Sequence, residues 1–327
     1  MRIKNKQRLI AIFLKARFLN KRLPLAVRWQ LTNRCVLKCK YCNLWSTPQK
    51  EFTIDKIISI LDEMAVMGTQ TISFSGGEPM LREDIAEILE ETVKRGISTE
   101  MNSTGAGIPG NTFKLKHLDF LKLSLDGPEE IHDAVRGKNS YKMVIEAAKA
   151  ASNAKVRFIF TTTLTKYNIK ETGFLLEEAQ RFNTLVAFQP LKSLYRGVED
   201  ISFMAPGEQD FKQAIRELII QKKNGNPHLR NSLVGLNHIY QWPYYPKLKC
   251  WAGKIFCILN TDGTLLPCDR IAYNSGLPDC RELGFERAFS MLPETHCSGC
   301  GFCGVLELNF IMSLKFGTIK SIYNILR

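Results

Sequence analysis

Apolar and polar positions along this chain switch repeatedly between a period near two and a period near 3.6. Short apolar runs at Leu25–Leu31, Thr71–Phe74, Ile97–Met101, Phe120–Leu125, Val156–Thr163 and Leu185–Phe188 read as strands. Between them, Ile54–Met67, Asp84–Lys94, Tyr141–Ala151 and Glu171–Arg181 place apolar residues at helical spacing. Thr53 suits the N-cap of the first helix and Gly96 the C-cap of the second. Such alternation implies an α/β fold with parallel strands joined by right-handed crossovers. Six strands fall short of the eight that close a barrel. Residues 191–247 are less regular, with one helix over Gly207–Lys223 and then Pro227, Pro243 and Pro246 as punctuation. From Cys250 the pattern becomes a hairpin, with Ile255–Leu259 and Thr264–Leu266 flanking a two-residue Asp262-Gly263 turn.

Charge changes the picture at one end. The 327 residues carry a net +13, and nine cations with no acid lie within residues 1–28. The remainder is only mildly basic, which argues against a nucleic-acid groove through the fold. With 45% hydrophobic and 24% charged residues, the chain is an ordinary globular protein. No uncharged apolar stretch approaches the ~18 residues of a spanning helix, and Leu9–Leu14 is too short for a secretory signal. The expected location is the cytoplasm, where clustered cysteines bind metal or do redox chemistry more often than they form disulfides.

The ten cysteines fall into two groups separated by a cysteine-free middle. Cys35, Cys39 and Cys42 form a C-x3-C-x2-C loop directly after the first strand. Three thiolates on one short loop can wrap three corners of a cubic iron–sulfur cluster and leave the fourth iron open. Zinc is the competing metal, but a structural zinc needs a fourth ligand, and no histidine or further cysteine lies nearby. Ser75-Gly76-Gly77-Glu78-Pro79 follows the second strand. Its glycines would let backbone approach a ligand, and Glu78 could accept hydrogen bonds from an ammonium group. A strand-to-helix turn is the plainer reading. Together, the two motifs share the C-terminal edge of one sheet, where such folds bind ligands.

With these motifs the sequence resembles the radical S-adenosylmethionine superfamily over roughly residues 25–190. The C-x3-C-x2-C loop, its aromatic Tyr41, and Gly76-Gly77-Glu78-Pro79 carry the resemblance. It implies a partial (β/α)6 TIM-type barrel and a [4Fe–4S] cluster on Cys35, Cys39 and Cys42, with the open iron chelated by S-adenosylmethionine. By the same resemblance, Gly76, Gly77 and Glu78 would hold the cofactor's amino group, and the Tyr41 backbone would lie near the adenine. Asn102 and Ser124 would contact ribose or carboxylate, and Arg136 would be a carboxylate partner. Ser124-Leu125-Asp126-Gly127 reads equally as an ordinary turn. Reductive cleavage would give a 5′-deoxyadenosyl radical that takes hydrogen from a substrate carbon.

Cys250, the hairpin and Cys268 resemble the auxiliary-cluster domain of this superfamily, the SPASM type or its shortened twitch form. One auxiliary [4Fe–4S] cluster is expected on Cys250, Cys268, Cys297 and Cys300, with Cys303 as a substitute ligand. The same residues also suit a zinc ribbon, and seven cysteines could hold one complete cube and one incompletely ligated cube. Cys257 and Cys280 read as buried, and the five histidines as structural, though His296 beside Cys297 could tune a cluster.

The expected divisions are a basic amphipathic segment (1–24), the barrel (25–190), a helical linker (191–249), the small cysteine-rich β-hairpin/α domain (250–304) and a C-terminal amphipathic helix (305–327). Basic apolar ends suit an anionic membrane surface at its inner face, or packing on the open edges of the sheet. They favour a lipid-linked substrate over a small molecule or a peptide. A peptide-modifying maturase is the second enzymatic reading, and a non-catalytic iron–sulfur carrier or zinc module the reading from another class. A radical enzyme of this kind also needs a reducing donor such as flavodoxin or ferredoxin.

Overall fold

The computed structural model describes residues 14–19, 21–191, 194–195, 199–270, 273, 276–295, 297 and 299–313. Six parallel strands run in chain order across one sheet: β1 (Ala26–Thr32), β2 (Thr71–Gly76), β3 (Ser98–Ser103), β4 (Phe120–Ser124), β5 (Phe158–Leu164) and β6 (Val186–Pro190). The crossovers carry α1 (Ile54–Met67), α2 (Ile85–Lys94), α3 (Glu129–Arg136), α4 (Ser140–Asn153) and α5 (Thr172–Arg181). Thr53 caps α1 by accepting from the Lys56 N–H at 3.4 Å, and Gly68 ends it in a left-handed conformation at φ 93°. Beyond β6 come α6 (Glu208–Lys223) and α7 (Leu233–Ile239). This is the open barrel that the alternating pattern predicts.

Strand alternation explains how the sheet is used. Trp29, Phe74, Met101, Leu121, Leu123, Phe160 and Phe188 are fully buried and join the main core under the helices. Their neighbours Arg28, Ser73, Ser75, Glu100, Asn102, Lys122, Ser124, Thr161 and Gln189 are only half-buried. Side chains alternate across a strand, so these polar residues share the opposite, concave face. One face therefore holds the fold together, and the other is left for chemistry.

The cysteine-rich region does not stand apart from the barrel. Its first strand, β7 (Phe256–Leu259), pairs in parallel with β1, matching Ala26 to Phe256 and Trp29 to Leu259. The antiparallel β8 (Leu265–Leu266) follows, giving one eight-stranded sheet. The hairpin thus covers the β1 edge that the amphipathic ends were expected to protect. Its loop also differs from the two-residue turn expected. Asn260 N–H donates to Thr264 O at 3.0 Å and Gly263 N–H to Asn260 O at 3.1 Å, leaving Thr261, Asp262 and Gly263 as a three-residue loop with Gly263 at φ 98°. Thr261 is drawn in because its hydroxyl contacts Gln30 O (3.0 Å) and Asn33 Oδ1 (2.9 Å) at the end of β1. The short helices α8 (Cys280–Leu283) and α9 (Phe285–Ser290) and then α10 (Cys303–Met312) complete the described chain.

Residues 14–18 are helical, and Ala16 packs with Leu25, Trp251, Ile255 and Met312. Phe18 and Leu19 beside it are 62% and 64% exposed. Helix α10 buries Val305, Leu306, Asn309, Phe310 and Met312, so this part of the C-terminal segment packs inward. Residues 1–13 and 314–327, and with them most of the two expected amphipathic ends, lie outside the described residues. Among the described residues no helix is long and apolar enough to cross a membrane.

Candidate functional site

The three-cysteine loop begins where β1 leaves the sheet. The β1–β2 register slips between Gln30 and Thr32, which re-aims the chain before Asn33. A turn then closes with Cys42 N–H donating to Cys39 O at 3.0 Å, and the Trp45 indole donates to Cys42 O at 3.0 Å. None of the three cysteines is in a disulfide, and Cys39 lies within electrostatic range of both Cys35 and Cys42. Burial pushes the Cys39 thiol up to about 11 and raises Cys35 as well. A metal cluster bound through these thiols would displace protons. Among the described residues no group of three His, Cys, Asp or Glu side chains stands close enough to hold a single metal ion. A cubic cluster, whose corners are separate atoms, takes thiolates set wider apart, and three grouped thiols suit it.

The glycine turn is zipped to that loop. Gly77 N–H donates to Thr32 O at 2.7 Å, and Glu78 N–H donates to Arg34 O at 2.8 Å. A Cβ on Gly76, itself at φ 132°, would lie 2.1 Å from Thr32 O, and one on Gly77 would lie 2.1 Å from Arg34 O. The space a side chain would fill at either glycine is taken by the backbone leading into Cys35, which gives the glycines a packing reason that the motif alone does not show.

Glu78 is fully buried. Its carboxylate accepts from Met80 N–H (3.2 Å), Ser103 Oγ (2.9 and 3.0 Å), Thr104 N–H (2.7 Å) and Thr104 Oγ1 (2.6 Å). Burial raises its pKa, and these donors work against the rise. Glu78 thereby ties the end of β2 to the end of β3, a role that the motif alone does not reveal. Ser103 and Thr104 were not singled out by sequence, since a hydroxyl after a strand is unremarkable without the carboxylate it meets.

Half-buried Tyr41 of the cysteine loop meets the buried Asp126 and Arg136. Asp126 Oδ2 accepts from Tyr41 Oη at 2.9 Å and from Arg136 Nε at 2.7 Å, and Oδ1 accepts from Thr163 N–H at 3.1 Å. The guanidinium lies 5.4 Å from the centre of the Tyr41 ring. Lys40 N–H adds a bond to Val135 O at 2.9 Å. The Ser124-Leu125-Asp126-Gly127 stretch is thus more than a turn, and the carboxylate next to Arg136 is the protein's own Asp126. His132 Nδ1 accepts from Asp126 N–H at 3.1 Å, and burial lowers its pKa to about 4, so the ring is neutral. Asn102 donates to Ser73 Oγ at 3.1 Å on the concave face, and Ser124 lies on the same face opposite Thr161.

A second ionic group braces the loop from the other side. Buried Arg82 donates to Leu31 O (3.3 Å), Phe52 O (3.0 Å), Glu51 (3.2 Å) and Asp84 (2.6 Å). Arg34 also binds Glu51 at 2.7 Å. The sequence shows these only as scattered charges.

In the C-terminal group, Cys250, Cys268 and Cys300 lie within electrostatic range of one another and pack with Phe302 in one small cluster. Burial pushes Cys268 up to about 11 and Cys300 to about 12. Cys297 is exposed and shares a cleft with Cys250. Cys303 takes a different position: its Sγ lies 3.3 Å from Phe188 O on β6 and 3.8 Å from Asn231 Nδ2, with Cys300 within electrostatic range. Phe302 is flanked by the guanidiniums of Arg28 on β1 at 5.6 Å and of Arg270 at 5.1 Å. Cys257 and Cys280 are fully buried, as expected. His238, read as structural, stacks on Tyr245 and reaches Cys300 O at 3.0 Å. His296 lies outside the described residues.

Known proteins share the fold and the domain that carry this site. The profile of the Radical SAM superfamily matches residues 29–179. The chain is 25% identical over 323 residues to the mycofactocin maturase MftC of Mycolicibacterium smegmatis, across 90% of this chain and 80% of that protein. It is 25% identical over 310 residues to MftC of Mycobacterium tuberculosis, across 86% and 76%. In fold it is similar to anSMEcpe with bound AdoMet, at TM-score 0.66 and 18% identity over 82% of this chain and 80% of that one. Streptococcus suis SuiB bound to precursor peptide SuiA gives TM-score 0.66 and 16% identity over 84% and 67%. With the cysteine loop and the glycine turn inside the matched residues, this chain carries a radical SAM domain and is a radical SAM enzyme.

Proposed function

We propose that this enzyme modifies a peptide. The observation that carries the reading is the reach of the likeness to two mycofactocin maturases, which spans 90% and 86% of the chain and so extends far beyond the radical SAM domain. A solved fold relative carries a precursor peptide. The concave face adds physical support, because its row of hydroxyls and amides offers both donors and acceptors to a peptide backbone. The lipid-linked reading drawn from the basic ends finds no counterpart in these relatives, and the peptide reading replaces it.

In this proposal Cys35, Cys39 and Cys42 hold the catalytic [4Fe–4S] cluster, and Cys250, Cys268 and Cys300 hold an auxiliary one with a fourth ligand from Cys297 or Cys303. Reductive cleavage of S-adenosylmethionine supplies the radical that takes a hydrogen from the substrate. The Gly76–Glu78 turn and the Tyr41 backbone border that cofactor, with Asn102 and Ser124 on the face below. Arg136 commits its Nε to Asp126, so only its terminal nitrogens are left for a cofactor carboxylate. The reducing electron comes from a low-potential carrier such as flavodoxin or ferredoxin.

The test uses reduced, iron-loaded protein with S-adenosylmethionine and deuterated peptides encoded beside its gene, and reads deuterium in 5′-deoxyadenosine. Transfer from a peptide supports the proposal. Transfer from a deuterated lipid-linked sugar and none from any peptide overturns it.

A further inference from the structure

The buried pair under the cysteine loop holds two opposite charges close to each other. Arg136 lies within electrostatic range of both Cys39 and Cys35. Asp126 is within range of Cys39 and grips Arg136 and Tyr41 from the side of β4 and β5. Arg136 is 7% exposed and Asp126 fully buried, so water screens neither charge well. Arg136 also belongs to α3, whose Val135 carbonyl fixes the Lys40 N–H of the loop. The other ring in contact with Asp126, His132, is an acceptor there and adds no charge.

We infer that Asp126 and Arg136 set the reduction potential of the cluster on Cys35, Cys39 and Cys42, with Arg136 raising it and Asp126 offsetting that rise. Asp126 acts by its charge, and its bonds to Tyr41 and Arg136 hold that charge in place. The physical basis is general: a buried cation beside an iron–sulfur cluster favours the form that carries an extra electron, and a buried anion disfavours it. A cluster that must reduce a sulfonium needs a low potential. The carboxylate keeps the nearby guanidinium from making the cluster too weak a reductant, while the guanidinium and the Tyr41 hydroxyl keep the loop in place.

This inference rests on the assignment of the catalytic cluster to Cys35, Cys39 and Cys42. The experiment is a redox titration of full-length, iron-loaded protein, followed by the paramagnetic signal that changes when S-adenosylmethionine is added. Asp126→Asn keeps the shape and removes the negative charge, and Arg136→Gln removes the positive one. The expected result is a shift to higher potential for Asp126→Asn, a shift to lower potential for Arg136→Gln, and a value near the parent for the double variant. A merely structural role would move both single variants the same way or neither. Shifts of the same sign, or none at normal iron content, overturn the inference. If Asp126→Asn fails to load iron, Arg136→Gln alone must still lower the potential, and loss of iron from both overturns the electrostatic assignment. A parent protein whose signal ignores S-adenosylmethionine would instead refute the cluster assignment.

Discussion

Gly77 donates its backbone N–H to the carbonyl of Thr32 across 2.7 Å, three residues before the first cysteine of the loop. That bond joins the two motifs of the site into one piece of backbone. Because a Cβ at Gly77 would stand 2.1 Å from Arg34 O, Gly77→Ala must push the loop away. The expected cost is about 1–3 kcal/mol or more. Iron content after anaerobic loading should fall well below that of the parent, and a Gly77→Ala variant with full iron and unchanged melting temperature would contradict this.

Removal of the Glu78 side chain leaves the Ser103 hydroxyl and the Thr104 N–H buried without their acceptor. Each orphaned group costs roughly 1–3 kcal/mol. Glu78→Ala should therefore lower the melting temperature and weaken S-adenosylmethionine binding together, whereas Glu78→Gln, which retains an acceptor oxygen, should recover part of the stability. Calorimetric melts and a binding titration of the two variants separate the effects. Equal stability of parent and Glu78→Ala would contradict the role read from the structure.

A double Cys250→Ala/Cys268→Ala variant should lower iron from about eight to about four per chain, as one of two cubes is lost. The remaining cluster should keep the signal that responds to S-adenosylmethionine. Iron that stays near eight would place the auxiliary cluster elsewhere, and iron near zero would show that the two groups do not load independently.

His132 gives a pH dependence of known sign. Burial holds its folded pKa near 4, whereas in the unfolded chain it titrates near 6.5. Between these values the unfolded state binds the proton and the folded state does not, so stability falls as pH drops from about 6.5 toward 4. The full loss attributable to this ring is roughly 3 kcal/mol. Melts of the parent and His132→Gln across that window should converge as pH falls, and parallel curves would contradict the neutral, buried ring.

The barrel was legible because its strands and helices repeat with clean periodicity. The expected bounds of Ile54–Met67 and its Thr53 cap match the helix found. The position of the hairpin was not legible, since parallel pairing of Phe256–Leu259 with β1 joins residues 230 positions apart in register, and no local pattern announces it. The same limit applies at the site. Spacing alone brought out Cys35, Cys39, Cys42 and Glu78. Asp126 acquires its meaning only when β4 and β5 bring it beneath Tyr41, and Arg82 only when the turn before α2 sets it between Leu31 and Phe52. Short motifs are readable because their residues are neighbours in sequence, whereas the charges that brace them are neighbours only in space.

The most direct measurement is 5′-deoxyadenosine formation by reduced, iron-loaded protein supplied with S-adenosylmethionine, compared with a variant in which Cys35, Cys39 and Cys42 are all alanine. The parent should form 5′-deoxyadenosine and the variant none, while the variant retains the iron of the C-terminal cysteines. If the variant still forms it, the chemistry does not occur at this loop, and the account of the site is wrong.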